Sequence, residues 1–307
     1  TWIRMDGSST VFPISEVIAD EFQIARRGVR ITVAISGTKG GFRKLLSQEI
    51  DINNASRPIN ESERQVARER RMEYLELPIA LDGLSILVNP ANHWVDYLTV
   101  AELRRIWEPA SKVHTWRDIR PAWPEEPIRL YGPGPDSGTF AYFTGVIVGA
   151  PGASRLDYTA NEDDNVVAEG IAGDPHAMGY FGYAYYVRDR YRLRLVPIDG
   201  GNGPVLPSRE TIADGRYRLL SRVLFLYVRA QSPHREHLDA FLHFYLENAP
   251  LLVKQVGYVP LSERAYQLVR RRLALGRTGS LFDQANPDPR GIVQLLARDL
   301  GTSDAVQ

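Results

Sequence analysis

Three short segments of the chain carry residue types and spacing suited to holding one oxyanion. They are Gly7-Ser8-Ser9-Thr10, Ser36-Gly37-Thr38-Lys39-Gly40-Gly41 and Asp136-Ser137-Gly138-Thr139. Each combines small hydroxyl residues with glycine, and each runs into a segment of helical apolar spacing. A helix N-terminus presents unpaired backbone N–H groups and the positive end of the macrodipole. Glycine lets a backbone approach a ligand closely, and serine or threonine adds a hydroxyl donor. One such segment alone reads as a helix cap. Three of them, with Arg57 in a fourth loop, read as a binding site.

The elements that must position these loops follow from periodicity. Pro13 suits an early helical position, and Ile14, Val17, Ile18 and Phe22 form one apolar stripe behind the first loop. Phe42, Leu45 and Leu46 follow the second loop. Phe140, Phe143 and Ile147 follow the third, with Asp136 or Ser137 as N-cap. Val29–Ile35 and Ile128–Tyr131 alternate as strands leading into the second and third loops. Strand, tight polar loop and helix is the arrangement by which open α/β sheets bind ligands at the carboxyl ends of their strands.

Composition narrows the function classes. The 307 residues hold 37 Lys+Arg against 37 Asp+Glu, so no global positive field points to nucleic acid or an anionic membrane surface. An anion would be held by local donors. No apolar run reaches bilayer length. The absence of cysteine excludes disulfides, thiolate metal sites, a cysteine nucleophile and a lipid-anchor cysteine within these residues. A strand-like segment follows Thr1 almost at once, so the expectation is that this chain carries no signal peptide.

Leu75–Pro90 and Val223–Val228 both read as extended chain passing between lobes. The middle then forms a lobe inserted into one built from both termini, giving 1–81 with 224–307 as lobe 1 and 82–223 as lobe 2. Trp116–Pro127 is expected as a surface connection, Tyr180–Tyr186 as a buried strand and Arg188–Arg194 as a solvated strand edge. The polar tail after Gly276 should carry a short helix near Ile292–Leu300. His234, His237 and His243 do not share one helical face, so they are expected to be structural or surface residues. Glu162-Asp163-Asp164 lies in a polar loop with nothing apolar beside it to raise a pKa.

The ordered motifs Asp6–Ile14, Ser36–Phe42, Asp51–Ile59, Tyr131–Phe140, Asn161–Asn165, Met178–Tyr186 and Gly257–Leu261 give the chain a resemblance that runs nearly end to end. It resembles the phosphate-binding protein of the bacterial high-affinity phosphate ABC transporter, in the branch that includes the cyanobacterial phosphate-stress protein. The resemblance implies an α/β fold, a two-lobed periplasmic binding protein of type 2, with hinged lobes each built on a central β-sheet flanked by helices. It implies inorganic phosphate held in the cleft, delivery to a membrane permease, a monomer in the periplasm or cell envelope, no nucleic-acid partner, no cofactor, no metal and no catalytic residue. The phosphate-binding residues implied are Ser9, Thr10 and Val11, Thr38, Ser56 and Arg57, and Asp136, Ser137, Gly138 and Thr139.

The chain departs from better-known members in two places. They carry an arginine where Pro133 stands, and an aspartate where Arg57 stands. The charges therefore read as swapped, with Arg57 reaching phosphate from the first lobe. An aspartate that accepts the proton of hydrogen phosphate repels sulfate, so a replacement acceptor is sought among Asp136, Asp163 and Asp164. Asp136 is nearest in sequence to the donors, and equally suits an N-cap role. Lys39 either adds charge or is a solvated loop lysine. Competing readings keep the fold for arsenate, sulfate or molybdate, make the protein a phosphate sensor, or make it a phosphomonoester hydrolase. The hydrolase would need a positioned base or metal, and the loops lack nucleotide P-loop spacing.

Overall fold

The computed structural model describes residues 2–135, 137–282 and 288–302. The chain opens with four strands and three helices. These are β1 (Trp2–Gly7), α1 (Phe12–Ala25), β2 (Arg30–Val33), α2 (Gly37–Leu46), β3 (Ile52–Ala55), α3 (Glu61–Glu69) and β4 (Tyr74–Val88). There follow β5 (Leu98–Thr99), α4 (Val100–Trp107), β6 (Arg129–Gly132), α5 (Gly138–Ile147), β7 (Thr159–Ala160), α6 (Asp164–Gly173), β8 (Ala177–Gly182) and α7 (Tyr183–Arg188). Short β9 (Arg194–Leu195), β10 (Ile198–Asp199), β11 (Pro204–Val205) and α8 (Arg209–Ala213) precede the long β12 (Ser221–Arg229). The chain then ends in α9 (Arg235–Gln255), α10 (Glu263–Ala274) and α11 (Ile292–Asp299).

Two compact units result, Thr1–Leu81 with Arg222–Gln307, and Asp82–Ser221. Relative to the sequence expectation, this moves Arg222 and Val223 from the second unit into the first. In the first unit the strand order is β2-β1-β3-β12, with the start of β4 beside β12. β1 runs parallel to β2 and β3, and β12 runs antiparallel to β3 with Phe225 opposite Ala55. The carboxyl ends of β1, β2 and β3 and the first residues of β12 therefore share one end of the sheet. Every residue of β12 is buried, which its unbroken apolar run requires. The unit packs α1 against α9, where Phe22 meets Phe241 and Phe244 edge-on at 5.3 Å each. In the second unit the latter half of β4 pairs antiparallel with β8, which runs parallel to β6 and so to β7.

Several local expectations are corrected. The second polar loop is already helical, because α2 begins at Gly37. The Tyr180–Tyr186 segment is strand only to Gly182, after which Tyr183–Arg188 turns into α7. The arginine-rich stretch is the turn after that helix, reaching a strand only at Arg194. Trp116 and Trp123 are buried, not on a surface connection, since their rings pack edge-on at 6.0 Å inside the second unit.

Burial pushes the hydroxyls of Tyr74 and Tyr185 up to about 12, helped by the nearby carboxylates of Glu76 and Asp164 respectively. Each folded pKa lies above the unfolded value near 10, so the folded state holds these protons more tightly. Their contribution to stability is complete below about pH 10 and is lost as pH rises toward 12. Urea unfolding between those values should show a fall in stability that Tyr74→Phe makes shallower.

Candidate functional site

In the first unit, three chain segments converge at the end of the sheet where β1, β2 and β3 stop. The Ser8 amide donates to Asn54 O at 2.9 Å, which ties the first loop to the end of β3. The Ser36 amide donates to Gly7 O at 3.1 Å, which brings the start of α2 against the same loop. Thr38 and Ser56 share a hydroxyl–hydroxyl hydrogen bond of 3.0 Å, and the Ser56 amide donates to Thr38 Oγ1 at 3.1 Å. Thr10, Thr38 and Ser56 are all buried. The N-cap residues of α1 and α2, Val11 and Ser36, make no side-chain cap hydrogen bond. Two helix N-termini thus point positive, uncapped ends at one place.

The glycines set how closely these segments approach. Gly7 has φ +132°, and a Cβ there would stand 2.2 Å from Asn54 O and 2.3 Å from Asn53 Oδ1. A Cβ on Gly41 would stand 1.9 Å from the same Asn53 oxygen and 2.8 Å from Gly7 Cα. Fully buried Asn53 is thereby clasped between strand and helix. Asp6, at the head of the first loop, is buried and paired with Lys44 of α2, and its Oδ1 accepts from the Gly7 amide at 2.7 Å. That pairing cancels a carboxylate charge beside a site built for anions.

Arg57, next in sequence to Ser56, is paired within its own unit. Its Nη1 and Nη2 donate to the two carboxylate oxygens of Glu63 at 2.8 and 2.7 Å, Nη1 also donates to Pro58 O at 2.9 Å, and the guanidinium lies 5.2 Å from the Phe42 ring centre. Glu63 is also the N3 member of the capping box that starts α3 on Asn60. The fork of Arg57 is thus taken up by an acid of its own unit. It clamps the loop that carries Ser56.

A different arginine, missed in the sequence, reaches the first loop. Arg222 is 2 % exposed and its Nη2 donates to Thr10 Oγ1 at 3.1 Å. The signal was present as a lone charge at the head of a run of buried apolar residues. The lobe boundary drawn at 223/224 set it apart from the first loop, and only the antiparallel pairing of β12 with β3 carries it there. Of the remaining candidates in this unit, Ser9 and Lys39 are exposed, and Val11 is buried at the head of α1.

The third loop belongs to the second unit. Ser137 is the N-cap of α5 and its Oγ accepts from the Thr139 amide at 3.1 Å. Gly138 and Thr139 form the first turn, and Phe140 and Phe143 bury the helix against Tyr158 and Tyr180. Tyr158 donates to Pro133 O at 2.9 Å, and Glu162 packs against Gly134, where a Cβ would meet its Oε1 at 2.0 Å. Asp136 lies outside the described residues. Asp163 caps α6 through the Asn165 amide, and Asp164 opens that helix, so these two acids serve a helix terminus.

Comparison with known proteins shows the family of the chain. Residues 1–249 match the model of the PBP superfamily domain. The chain is 46% identical over 283 residues to Protein SphX of Synechocystis, covering 91% of this chain and 84% of that protein. It is 34% identical over 266 residues to the phosphate-binding protein PstS of Staphylococcus saprophyticus, covering 86% and 82% respectively. A crystal structure described as a possible phosphate binding protein from Planctomyces limnophilus matches with TM-score 0.73 and 43% identity, over 90% of this chain and 98% of that one. With uncapped helix ends and buried hydroxyls gathered on an α/β sheet, and with relatives of this similarity over most of its length, the chain belongs to the PstS and SphX family of phosphate-binding proteins, within the PBP superfamily.

Proposed function

We propose that the protein binds inorganic phosphate in the cell envelope and hands it, as a monomer, to the permease of an ABC transporter. The observation that carries this reading is the gathering of Thr10, Thr38, Ser56 and two uncapped helix N-termini at one end of the first unit's sheet, in a chain 34% identical to a phosphate-binding protein. It is a binder and not an enzyme. The hydroxyls of Thr38 and Ser56 hydrogen-bond each other, which suits donation to a held anion better than nucleophilic attack. Among the described residues no helix is long and apolar enough to cross a membrane, so the membrane step falls to the permease.

Micromolar affinity requires about 8 kcal/mol, and charge-assisted hydrogen bonds contribute roughly 1.5–3 kcal/mol each. The amides of Val11 and of the first turn of α2, with the three hydroxyls, provide enough donors for that. Ser137, Gly138 and Thr139 offer donors of the same kind on the second unit. Calorimetric titration of phosphate-stripped protein is expected to show one-to-one phosphate binding, at micromolar affinity or tighter, with sulfate far weaker. Thr38→Val and Thr139→Ala should each weaken phosphate about tenfold, the loss of roughly one hydrogen bond to a charged group. A chain that ignores phosphate, or prefers sulfate, would sink the assignment. Restored uptake in cells lacking their own phosphate-binding protein tests the delivery step.

A further inference from the structure

We infer that the end of the first unit's sheet opposite the cradle is a second anion site, one that takes a linear inorganic polyphosphate chain. β1 and β2 begin at that end and β12 finishes there. The Ala230 amide donates to Glu73 O at 3.0 Å, so β4 begins there too. Two hollows open among these chain ends. Trp2, Arg30 and His234 line one of about 630 Å³, and Arg71, Gln231 and Thr278 line one of about 570 Å³. Gln231 and His234 lie in the same short connection between β12 and α9, which separates the two hollows.

Arginine gathers at this end. Arg26 and Arg27 stand in the turn that leads into Arg30, and Arg277 immediately precedes Thr278. Arg26, Arg27, Arg30, Arg71 and Arg277 are exposed, and none has an ion-pair partner among the described residues. The acids on the same segments are Glu73 and Glu236. A chain with no net charge therefore carries a local excess of cations here, which draws an anion able to join them. Arg71 adds a separate observation. Its φ is +51°, a conformation that glycine adopts freely and arginine only against its backbone preference.

The spacing selects the ligand. Neighbouring strands lie about 4.8 Å apart. Four steps separate β2 from β4 in the order β2-β1-β3-β12-β4, which sets the Arg30 and Arg71 ends roughly 19 Å apart. The phosphates of a nucleotide cannot bridge that distance. A longer chain of phosphate groups can, with each guanidinium able to grip two oxygens. A bilayer or a protein partner would want an apolar centre to the patch. Of the residues lining the hollows, only Trp2, at 53% exposed, is a large apolar group in the open.

The test is calorimetric titration of the protein with long-chain sodium polyphosphate, in excess orthophosphate so that the cradle does not compete for the chain. Tripolyphosphate, heparin and phosphatidylglycerol vesicles are titrated in the same way. Long-chain polyphosphate is expected to bind, with an affinity that falls steeply as sodium chloride is added. Tripolyphosphate, too short to reach both hollows, should bind at least about tenfold more weakly. The triple variant Arg26→Gln, Arg30→Gln, Arg71→Gln should bind long-chain polyphosphate about 30-fold more weakly, roughly threefold for each exposed charge pair lost. Its melting temperature and its affinity for orthophosphate should match the wild type, since these side chains are exposed and stand away from the cradle. Arg71→Gly alone should lose about threefold without a fall in melting temperature. Equal affinity for tripolyphosphate, unchanged binding in the triple variant, or binding of heparin or vesicles as tight as that of polyphosphate would each overturn the inference. None of these outcomes touches the phosphate reading, which a separate titration of stripped protein with orthophosphate decides.

Discussion

Gly41→Ala is expected to destabilise the protein by about 3 kcal/mol, the upper part of the range for overpacking a filled site, whereas Gly40→Ala should stay within about 1 kcal/mol of wild type. The two glycines are neighbours on α2, and both stand in what reads as an anion-binding motif. A Cβ on Gly41 would meet Asn53 Oδ1 at 1.9 Å and Gly7 Cα at 2.8 Å, and neither can withdraw. Asn53 is fully buried and Gly7 is held by strand pairing. A Cβ on Gly40 would meet only the side chain of exposed Ser36, at 2.8 Å from its Oγ and 3.0 Å from its Cβ; the hydroxyl can rotate away, and the exposed serine has to give by only a few tenths of an ångström. In a helix, exchanging glycine for alanine also gains a little backbone entropy. Urea unfolding of both variants checks this, and equal effects at the two positions would refute it. Phosphate affinity should fall in Gly41→Ala alone, since moving α2 off β1 carries Thr38 with it.

That contrast marks what could be read in the sequence. The glycine-rich spacing was visible, but its purpose was assigned to the ligand. In the structure Gly41 serves the approach of helix to strand, because Asn53 fills the space a side chain would need. Strand–loop–helix order, the apolar stripe of α1 and the long extended segments at β4 and β12 follow from local periodicity, which needs no knowledge of partners. Arg57 shows the limit. Its type and loop position suit an anion, yet Glu63, six residues on, satisfies both ends of its fork once α3 folds back. Arg222 shows the converse, a buried arginine whose hydrogen-bond partner Thr10 lies 212 positions away. The Trp116–Pro127 and Tyr180–Tyr186 expectations differ from the structure for a related reason, as burial of a tryptophan or helical winding of a tyrosine run is decided by what packs against it.

The largest loss of stability is expected on removing Glu76, a residue that no motif singled out. It is fully buried, and four donors converge on its carboxylate. Tyr227 Oη and Ser280 Oγ donate to Oε2 at 2.7 and 2.5 Å, and the amides of Leu281 and Phe282 to Oε1 at 2.6 and 3.1 Å. Glu76→Leu strands all four donors and should cost about 4 kcal/mol, as for breaking other buried charged networks. Glu76→Gln keeps one oxygen for the two amides but turns an NH2 toward two hydroxyls. The Ser280 hydroxyl can rotate to accept. Tyr227 already accepts from the Ile59 amide at 2.9 Å, so its accommodation is poorer, and about 2 kcal/mol should be lost. Thermal or urea unfolding orders the three proteins. The same Ile59 bond ties the network to the cradle, because Ile59 closes the loop that carries Ser56. Both variants should therefore weaken phosphate binding even where the protein remains folded, although Glu76 touches no ligand. Equal stability of the Leu and Gln variants would show that the carboxylate oxygens do not bear the load. Unchanged affinity in folded Glu76→Gln would show that the Ser56 loop is held by Arg57 and Glu63 alone.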